Sequence, residues 1–251
     1  MIASLMMYSR PELDGAHDRY WQWIRKFLAA AGIPAPEKLS LDMGDGDEIS
    51  HWLNPHLVLA QSCGLPYRTR LKDKVTLIGT PDFGVEGCPP GYYRSAIIVR
   101  KGDQRHDLTD FRKAVFACNQ TGSQSGYAAF REHLKPMGFW FENRMCLGQH
   151  VFSAKAVAHG QADIAAIDAV SWRLMKKYDG FTQNLRVLDW TVPTPGLPYI
   201  TALGMDREQM FNAVQKAISH LGRGDRELLG LRGITYIPPE IYFAVPGPEI
   251  E

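Results

Sequence analysis

The residues best suited to chemistry lie in one short segment, Gly122, Ser123, Gln124, Ser125 and Gly126. The pattern that follows predicts a helix over residues 127–134. At a helix start several backbone N–H groups lack partners and the helix dipole is positive, so the segment can hold a phosphate, phosphonate or carboxylate. The glycines allow close approach of the backbone, and the serines add hydroxyl donors. A serine that only caps the helix explains the same pattern, and the sequence leaves both interpretations open.

Two common catalytic loops do not fit this segment. The phosphate loop of nucleotide hydrolases requires a lysine after its second glycine, and Tyr127 follows Gly126. A nucleophile elbow requires serine at the centre of the pattern, where Gln124 stands. The sequence therefore disfavours an NTPase and a serine hydrolase.

Other polar and aromatic side chains stand at the ends of predicted elements. Gln61 and Asp168 close two apolar runs of strand length, and His150 precedes a predicted helix. Tyr8 ends the opening apolar run, where it either lines a binding cleft or packs in the core. Asp168 also stands where it could cap the helix that follows it. We therefore take Gln61, His150, Asp168 and Tyr8 as further candidates for ligand binding.

The elements that must position these residues alternate between strands and helices. Apolar residues recur at intervals of three and four over residues 16–31, which predicts an amphipathic helix after the first strand. The rest of the chain continues with strand-length apolar runs and helical periods, which indicates an α/β fold with largely parallel sheets. Such sheets bind ligands at the carboxyl ends of their strands, where Ser123, Asp168 and Gln61 stand.

Composition restricts the class of partner and the compartment. The 28 Lys and Arg residues balance 27 Asp and Glu residues, so no net basic charge favours nucleic acid or an anionic membrane. No apolar stretch reaches the length of about 18 residues that a membrane span needs. The first residues do not resemble a secretory signal, so the sequence as written predicts a cytoplasmic protein, and a periplasmic one only if a leader has been removed.

The cysteines and acidic residues do not suggest a metal or redox site. Cys63, Cys88, Cys118 and Cys146 are widely separated, and we interpret them as structural thiols. A disulfide between Cys63 and Cys88 remains open for an exported protein. The acidic run at residues 42–47 lacks the final glutamate of a calcium loop, so we predict a solvated turn there and no metal or cofactor.

Two blocks of sequence resemble one family of binding proteins. Residues 122–127 resemble the S-x-S-G-[YF] motif of the substrate-binding proteins of phosphate, phosphite and phosphonate ABC transporters. Residues 148–168, with a histidine before a helix and then Gly160, Ala162, Asp163 and Asp168, are similar to a second block of that family. The resemblance extends over about residues 83–198.

The resemblance implies a type 2 periplasmic-binding-protein fold with two lobes and two crossover strands. We expect one lobe over residues 1–91 and 196–251 and the other over residues 92–195. It also implies that Ser123, Gln124, Ser125 and His150 bind the ligand's acid group, and that Asp168 accepts donors from the ligand's other end.

Two kinds of function follow from these features. The first is a module that closes over a small phosphonate- or phosphate-like anion, for ABC transport with a permease as partner, or for sensing. The alternative is an enzyme on the same fold, with His150 and Asp168 as acid and base across the cleft. We prefer the binding module, because the sequence has no covalent nucleophile, metal cluster or cofactor loop.

Overall fold

A computed structural model describes residues 1–40 and 48–247, so the predicted turn at residues 42–47 lies outside the described residues. The helices are Asp14–Ala30 (α1), Glu48–Trp52 (α2), Gly64–Thr69 (α3), Ala129–Leu134 (α4), His150–Ala158 (α5), Ala169–Tyr178 (α6), Arg207–His220 (α7), Arg223–Leu229 (α8) and Pro239–Phe243 (α9). The strands are Ile2–Ser4 (β1), Leu57–Gln61 (β2), Val75–Asp82 (β3), Tyr92–Tyr93 (β4), Ser95–Arg100 (β5), Phe116–Cys118 (β6), Arg144–Cys146 (β7), Ile164–Asp168 (β8), Leu185–Trp190 (β9), Thr194–Pro195 (β10), Tyr199–Ala202 (β11) and Gly233–Thr235 (β12). None of the helices in these ranges has the length and apolar character to cross a membrane.

The chain divides into two compact units. Among the described residues, unit 1 comprises residues 1–40, 48–92 and 195–244, and unit 2 comprises residues 93–194 and 245–247. The chain thus passes from one unit to the other at Tyr92–Tyr93, Thr194–Pro195 and Ala244–Val245. The short strands β4 and β10, which lie at the first two of these points, pair with each other.

Unit 1 is built on a five-stranded sheet in the order β1-β2-β11-β3-β12. The predicted first helix is present as α1, and its buried Ala16, Tyr20, Ile24 and Leu28 recur every four residues. That spacing puts their side chains on one face of the helix. The opening apolar run is only partly a strand, because β1 ends at Ser4 and a 3₁₀ turn covers Met6–Tyr8.

Unit 2 is built on a second five-stranded sheet in the order β7-β6-β8-β5-β9. Consecutive residues of β5 point to opposite faces of this sheet. Ile97 packs with Phe116, Tyr127 and Phe130 on one face, and Ile98 packs on the other face in a cluster that contains residues of α5 and α6. The sheet is therefore covered on both faces, with α4 on one side and α5 and α6 on the other.

The predicted predominance of parallel pairing is wrong. Within unit 2, β6 pairs in parallel with β7 and β8, whereas β5 pairs antiparallel with β8 and β9. In unit 1, β11 is antiparallel to both β2 and β3. The strands that precede the candidate loops are nevertheless parallel neighbours, so their carboxyl ends meet at one edge of the unit 2 sheet.

Candidate functional site

The predicted helix start forms directly after β6, through a five-residue loop. Ser123 has extended backbone angles, and its Oγ accepts a hydrogen bond from the N–H of Gly126 at 3.0 Å. The helix begins with a π-helical turn, Gln124–Ala128, that continues into α4. The turn is completely buried in unit 2. Ser123 is therefore the cap of this helix.

Ser125 connects this turn to the second candidate block. Its Oγ lies 3.0 Å from Nε2 of His150, the first residue of α5. The hydroxyl of Ser95 donates to the main-chain oxygen of Ser125 at 2.9 Å. A residue of β5 thus holds the main chain of Ser125, and the start of α5 contacts its hydroxyl. Ser125 and His150, 25 residues apart in sequence, therefore lie in one site.

His150 carries no charge at neutral pH. Its Nδ1 is buried, and burial lowers the pKa of the imidazole to about 4, with a smaller opposing effect from the carbonyl of Ala166. The direction of the hydrogen bond between His150 Nε2 and Ser125 Oγ depends on the tautomer, and in the tautomer with its proton on Nε2 the imidazole donates to Ser125 Oγ. The Ser125 hydroxyl proton is then available to donate to a ligand.

Close packing explains why glycine stands at position 126. A Cβ atom there would lie 1.8 Å from Oδ1 of Asn119 and 3.0 Å from Cε1 of His150. The Asn119 Oδ1 is itself buried and has no hydrogen-bond partner among the described residues. Gly126 therefore lets the helix start approach both the β6 loop and the imidazole.

Asp168 acts as a helix cap. Its Oδ1 accepts hydrogen bonds from the N–H groups of Val170, at 2.7 Å, and Ser171, at 3.0 Å. The side chain is only 2% exposed, at the carboxyl end of β8. The structure therefore shows Asp168 in the capping role that the sequence left open.

Tyr8 and Gln61 belong to unit 1, and both are buried there. The ring of Tyr8 packs edge-on against Phe83 with centroids 4.9 Å apart. The side-chain amide of Gln61 donates to the carbonyl of Leu197 at 3.3 Å. Each side chain therefore has a packing or hydrogen-bonding role inside its own unit.

A disulfide that was not predicted from the sequence lies at this site. Cys118 and Cys146 are bonded to each other, whereas Cys63 and Cys88 keep their thiols. The interpretation of all four as structural thiols is therefore wrong, and so is the pairing that was left open. One sequence signal was available, because each bonded cysteine shortly precedes one of the two motif blocks. Their pairing depends on the parallel register of β6 and β7, which no local pattern shows.

No group of three or more histidine, cysteine or acidic side chains in residues 1–40 and 48–247 is arranged to hold a metal ion.

Asp163, in the second motif block, forms ion pairs with Arg100 at 3.1 Å and Arg105 at 3.0 Å. It also accepts from the N–H of Val115 at 2.9 Å. These contacts tie together chain segments at the amino end of β8, so Asp163 has a structural role.

Comparison with protein families gives one match that covers most of the chain. The model described as "ABC transporter, phosphonate, periplasmic substrate-binding protein" matches residues 59–239. No curated protein matches the sequence.

Several solved structures share the fold at low sequence identity. PhnD1 from Prochlorococcus marinus, in complex with methylphosphonate, matches with a TM-score of 0.72 and 14% identity, over 96% of this chain and 94% of that one. A Xanthomonas citri protein bound to ATP matches with a TM-score of 0.71 and 14% identity, over 96% and 92%. A binding protein of an ABC phosphonate transporter from Pseudomonas aeruginosa has a TM-score of 0.64 and 15% identity, over 94% and 80%. The chain therefore has the type 2 periplasmic-binding-protein fold.

Proposed function

Because the chain belongs to the family of periplasmic substrate-binding proteins of phosphonate ABC transporters, we propose that it binds a small phosphorus oxyanion at the start of the helix after β6. The contact between Ser125 and His150 carries this proposal. It joins the two motif blocks at a helix start, where hydroxyl and N–H donors are concentrated. The proposed ligand contacts for the acid group are Ser123, Gln124, Ser125 and His150.

Neutral donors are sufficient for such a ligand. Charge-assisted hydrogen bonds from hydroxyl and N–H groups to an anion are stronger than bonds between neutral groups. A neutral His150 adds a donor relay to Ser125 without adding a positive charge. The ligands of two structural neighbours, methylphosphonate and ATP, both contain phosphorus–oxygen groups, which supports a phosphorus oxyanion as the ligand class.

The other candidate residues for ligand binding are Asp168, Tyr8 and Gln61. Asp168 caps α6 through Oδ1, and we propose that its carboxylate also accepts donors from the part of the ligand away from the acid group. Tyr8 and Gln61 stay predictions from sequence, because their contacts in unit 1 serve packing and hydrogen bonding there.

We further propose a periplasmic location and delivery of the ligand to an ABC permease. The family assignment supports both. The Cys118–Cys146 disulfide supports the location independently, because disulfides form and persist in oxidising compartments such as the bacterial periplasm.

The test is thermal unfolding of the purified, oxidised protein against a panel of ligands. The panel contains phosphate, phosphite, methylphosphonate, aminoalkyl phosphonates, ATP, sulfonates and small carboxylates. A ligand at 100 times its Kd stabilises the folded state by about 2.7 kcal/mol. We expect stabilisation by one or more phosphorus compounds and none by sulfonates or carboxylates.

Two variants connect any response to the site. Ser125→Ala removes one donor to the anion, and we expect the Kd to rise by about 10-fold to 150-fold. Ser219→Ala is the matched control, because Ser219 is an exposed serine of α7 whose hydroxyl donates to the carbonyl of Lys216, and its Kd should equal that of the wild type. A flat panel, or equal Kd values for Ser125→Ala and the wild type, would contradict the proposal.

A further inference from the structure

The Cys118–Cys146 disulfide lies at the base of both loops that carry the proposed anion contacts. Cys118 is the last residue of β6, Cys146 is the last residue of β7, and the two are opposite each other in the parallel register. The cap Ser123 follows Cys118 by five residues, and His150 follows Cys146 by four. The bond therefore joins the two segments just before they separate toward the site.

Non-covalent contacts also hold the second segment at this point, because Met145 and Leu147 pack against the core of unit 2. Strand β7 is a three-residue edge strand, with Arg144 and Cys146 exposed. Beyond the disulfide, the N–H of Leu147 donates to the carbonyl of Cys118 and the N–H of Gly148 donates to that of Asn119, both at 2.8 Å. Short edge segments open locally at a small cost in free energy. The covalent bond restricts that opening.

We propose that the Cys118–Cys146 disulfide is a positioning element of the anion site, which holds the Ser125 loop against the His150 loop and so sets the affinity for the anion. This inference rests on the proposed function. A hydrogen bond weakens steeply when its donor and acceptor move apart or lose alignment, so a relative shift of about 1 Å is enough to separate Ser125 from His150. Ser125 then loses the relay that orients its hydroxyl toward the ligand.

The bond can be opened chemically in the intact protein. Cys118 is buried, whereas Cys146 is exposed. A thiolate of dithiothreitol attacks the Sγ of Cys146 and releases Cys118 as a thiolate, which takes up a proton. The second thiol of the reagent then displaces Cys146, so that two protein thiols and one cyclic reagent disulfide are formed.

The test compares four forms of the protein at a temperature well below unfolding: oxidised wild type, reduced wild type, the double variant Cys118→Ala/Cys146→Ala, and Cys88→Ala as the matched cysteine control. The Kd for methylphosphonate is measured by calorimetry, and circular dichroism checks that each form is folded. We expect the Kd to be about tenfold higher in the reduced wild type and in the double variant. The control should match the oxidised wild type, and reductant should not change the double variant further.

A second readout separates positioning from simple stabilisation. Opening of the His150 loop admits water to the imidazole, so NMR titration should show the pKa of His150 rising from about 4 toward 6.5 in the reduced protein. Unchanged Kd and His150 pKa in the folded, reduced protein would overturn the inference. If the oxidised wild type binds no member of the panel, the proposed function fails, and the proposed effect of the disulfide on affinity fails with it. The NMR titration of His150 still shows in that case whether the disulfide positions the imidazole.

Discussion

At the scale of single residues, Ser125 and His150 show how two ordinary side chains form a binding feature. The hydroxyl of Ser125 can donate one proton and accept others, so its direction depends on its neighbours. The imidazole of His150 lies 3.0 Å away, and its tautomer sets that direction. Burial keeps the imidazole neutral, so it can donate from Nε2 at physiological pH.

The lowered pKa of His150 predicts a pH-dependent stability. The pKa is about 4 in the folded protein and about 6.5 in the unfolded chain. Between these values the unfolded chain binds more protons, so the free energy of unfolding falls as the pH decreases from about 6.5 to about 4. The titration of His150 lowers the free energy of unfolding by about 3 kcal/mol over this pH range.

Chemical denaturation of the wild type and of His150→Asn from pH 4 to pH 8 measures this slope. We expect the variant to lack the part of the decrease that comes from His150. Other groups, including His17 with its burial-lowered pKa, contribute equally to both proteins and cancel in the difference. Parallel curves for the two proteins would show that His150 does not titrate as inferred.

At the scale of elements, the site depends on how closely the helix start approaches the β6 loop. A methyl group at Gly126 meets Asn119 Oδ1 at 1.8 Å, so one of the two segments must move. The site elements α4 and α5 lie on opposite faces of the unit 2 sheet, and the contact between Ser125 and His150 joins the turn before α4 to the start of α5.

We predict that Gly126→Ala destabilises the protein and weakens binding. Overpacking of a closely packed position costs about 1–3 kcal/mol, and the displaced Asn119 or His150 disturbs the anion contacts. Urea denaturation and calorimetry measure the two effects. Gly180→Ala is the control, because Gly180 is also in unit 2 but its added Cβ meets nothing within 4 Å. Equal effects of the two variants would mean that the close approach at Gly126 is not required.

At the scale of the whole molecule, the disulfide connects the site to global stability. It closes a loop with a sequence separation of 28 residues, which contains the capped helix start and α4. In the chain-entropy model, such a crosslink stabilises a protein by about 2–4 kcal/mol, because it restricts the unfolded chain.

We therefore expect reduction to lower the free energy of unfolding by about 2–4 kcal/mol in urea denaturation. Thiol titration of the denatured, oxidised protein should find two thiols, those of Cys63 and Cys88, and reduction should raise the number to four. Cys88→Ala should lose the same stability on reduction as the wild type. Four thiols in protein isolated from an oxidising compartment would contradict the pairing.

Much of the local structure could be predicted from sequence. The two apolar runs that end at Gln61 and Asp168 predicted strands, and β2 and β8 end at these residues. The two motif blocks identified the family, and the match of the family model over residues 59–239 confirms it. The elements after residue 221, which are α8, β12 and α9, were not predicted. Each of these elements has seven residues or fewer, which is too short for a regular spacing of apolar residues to be recognised.

By itself, the sequence determined the helix start after β6, the buried strands that end at Gln61 and Asp168, and the family that the chain resembles, because caps, glycines and apolar periods act over a few residues. The tertiary structure decided the contact between Ser125 and His150, the pairing of Cys118 with Cys146 and the mixed direction of the strands. These features depend on which strands become neighbours and in what register. That choice is made by the packing of distant segments against one another, and no local pattern specifies it.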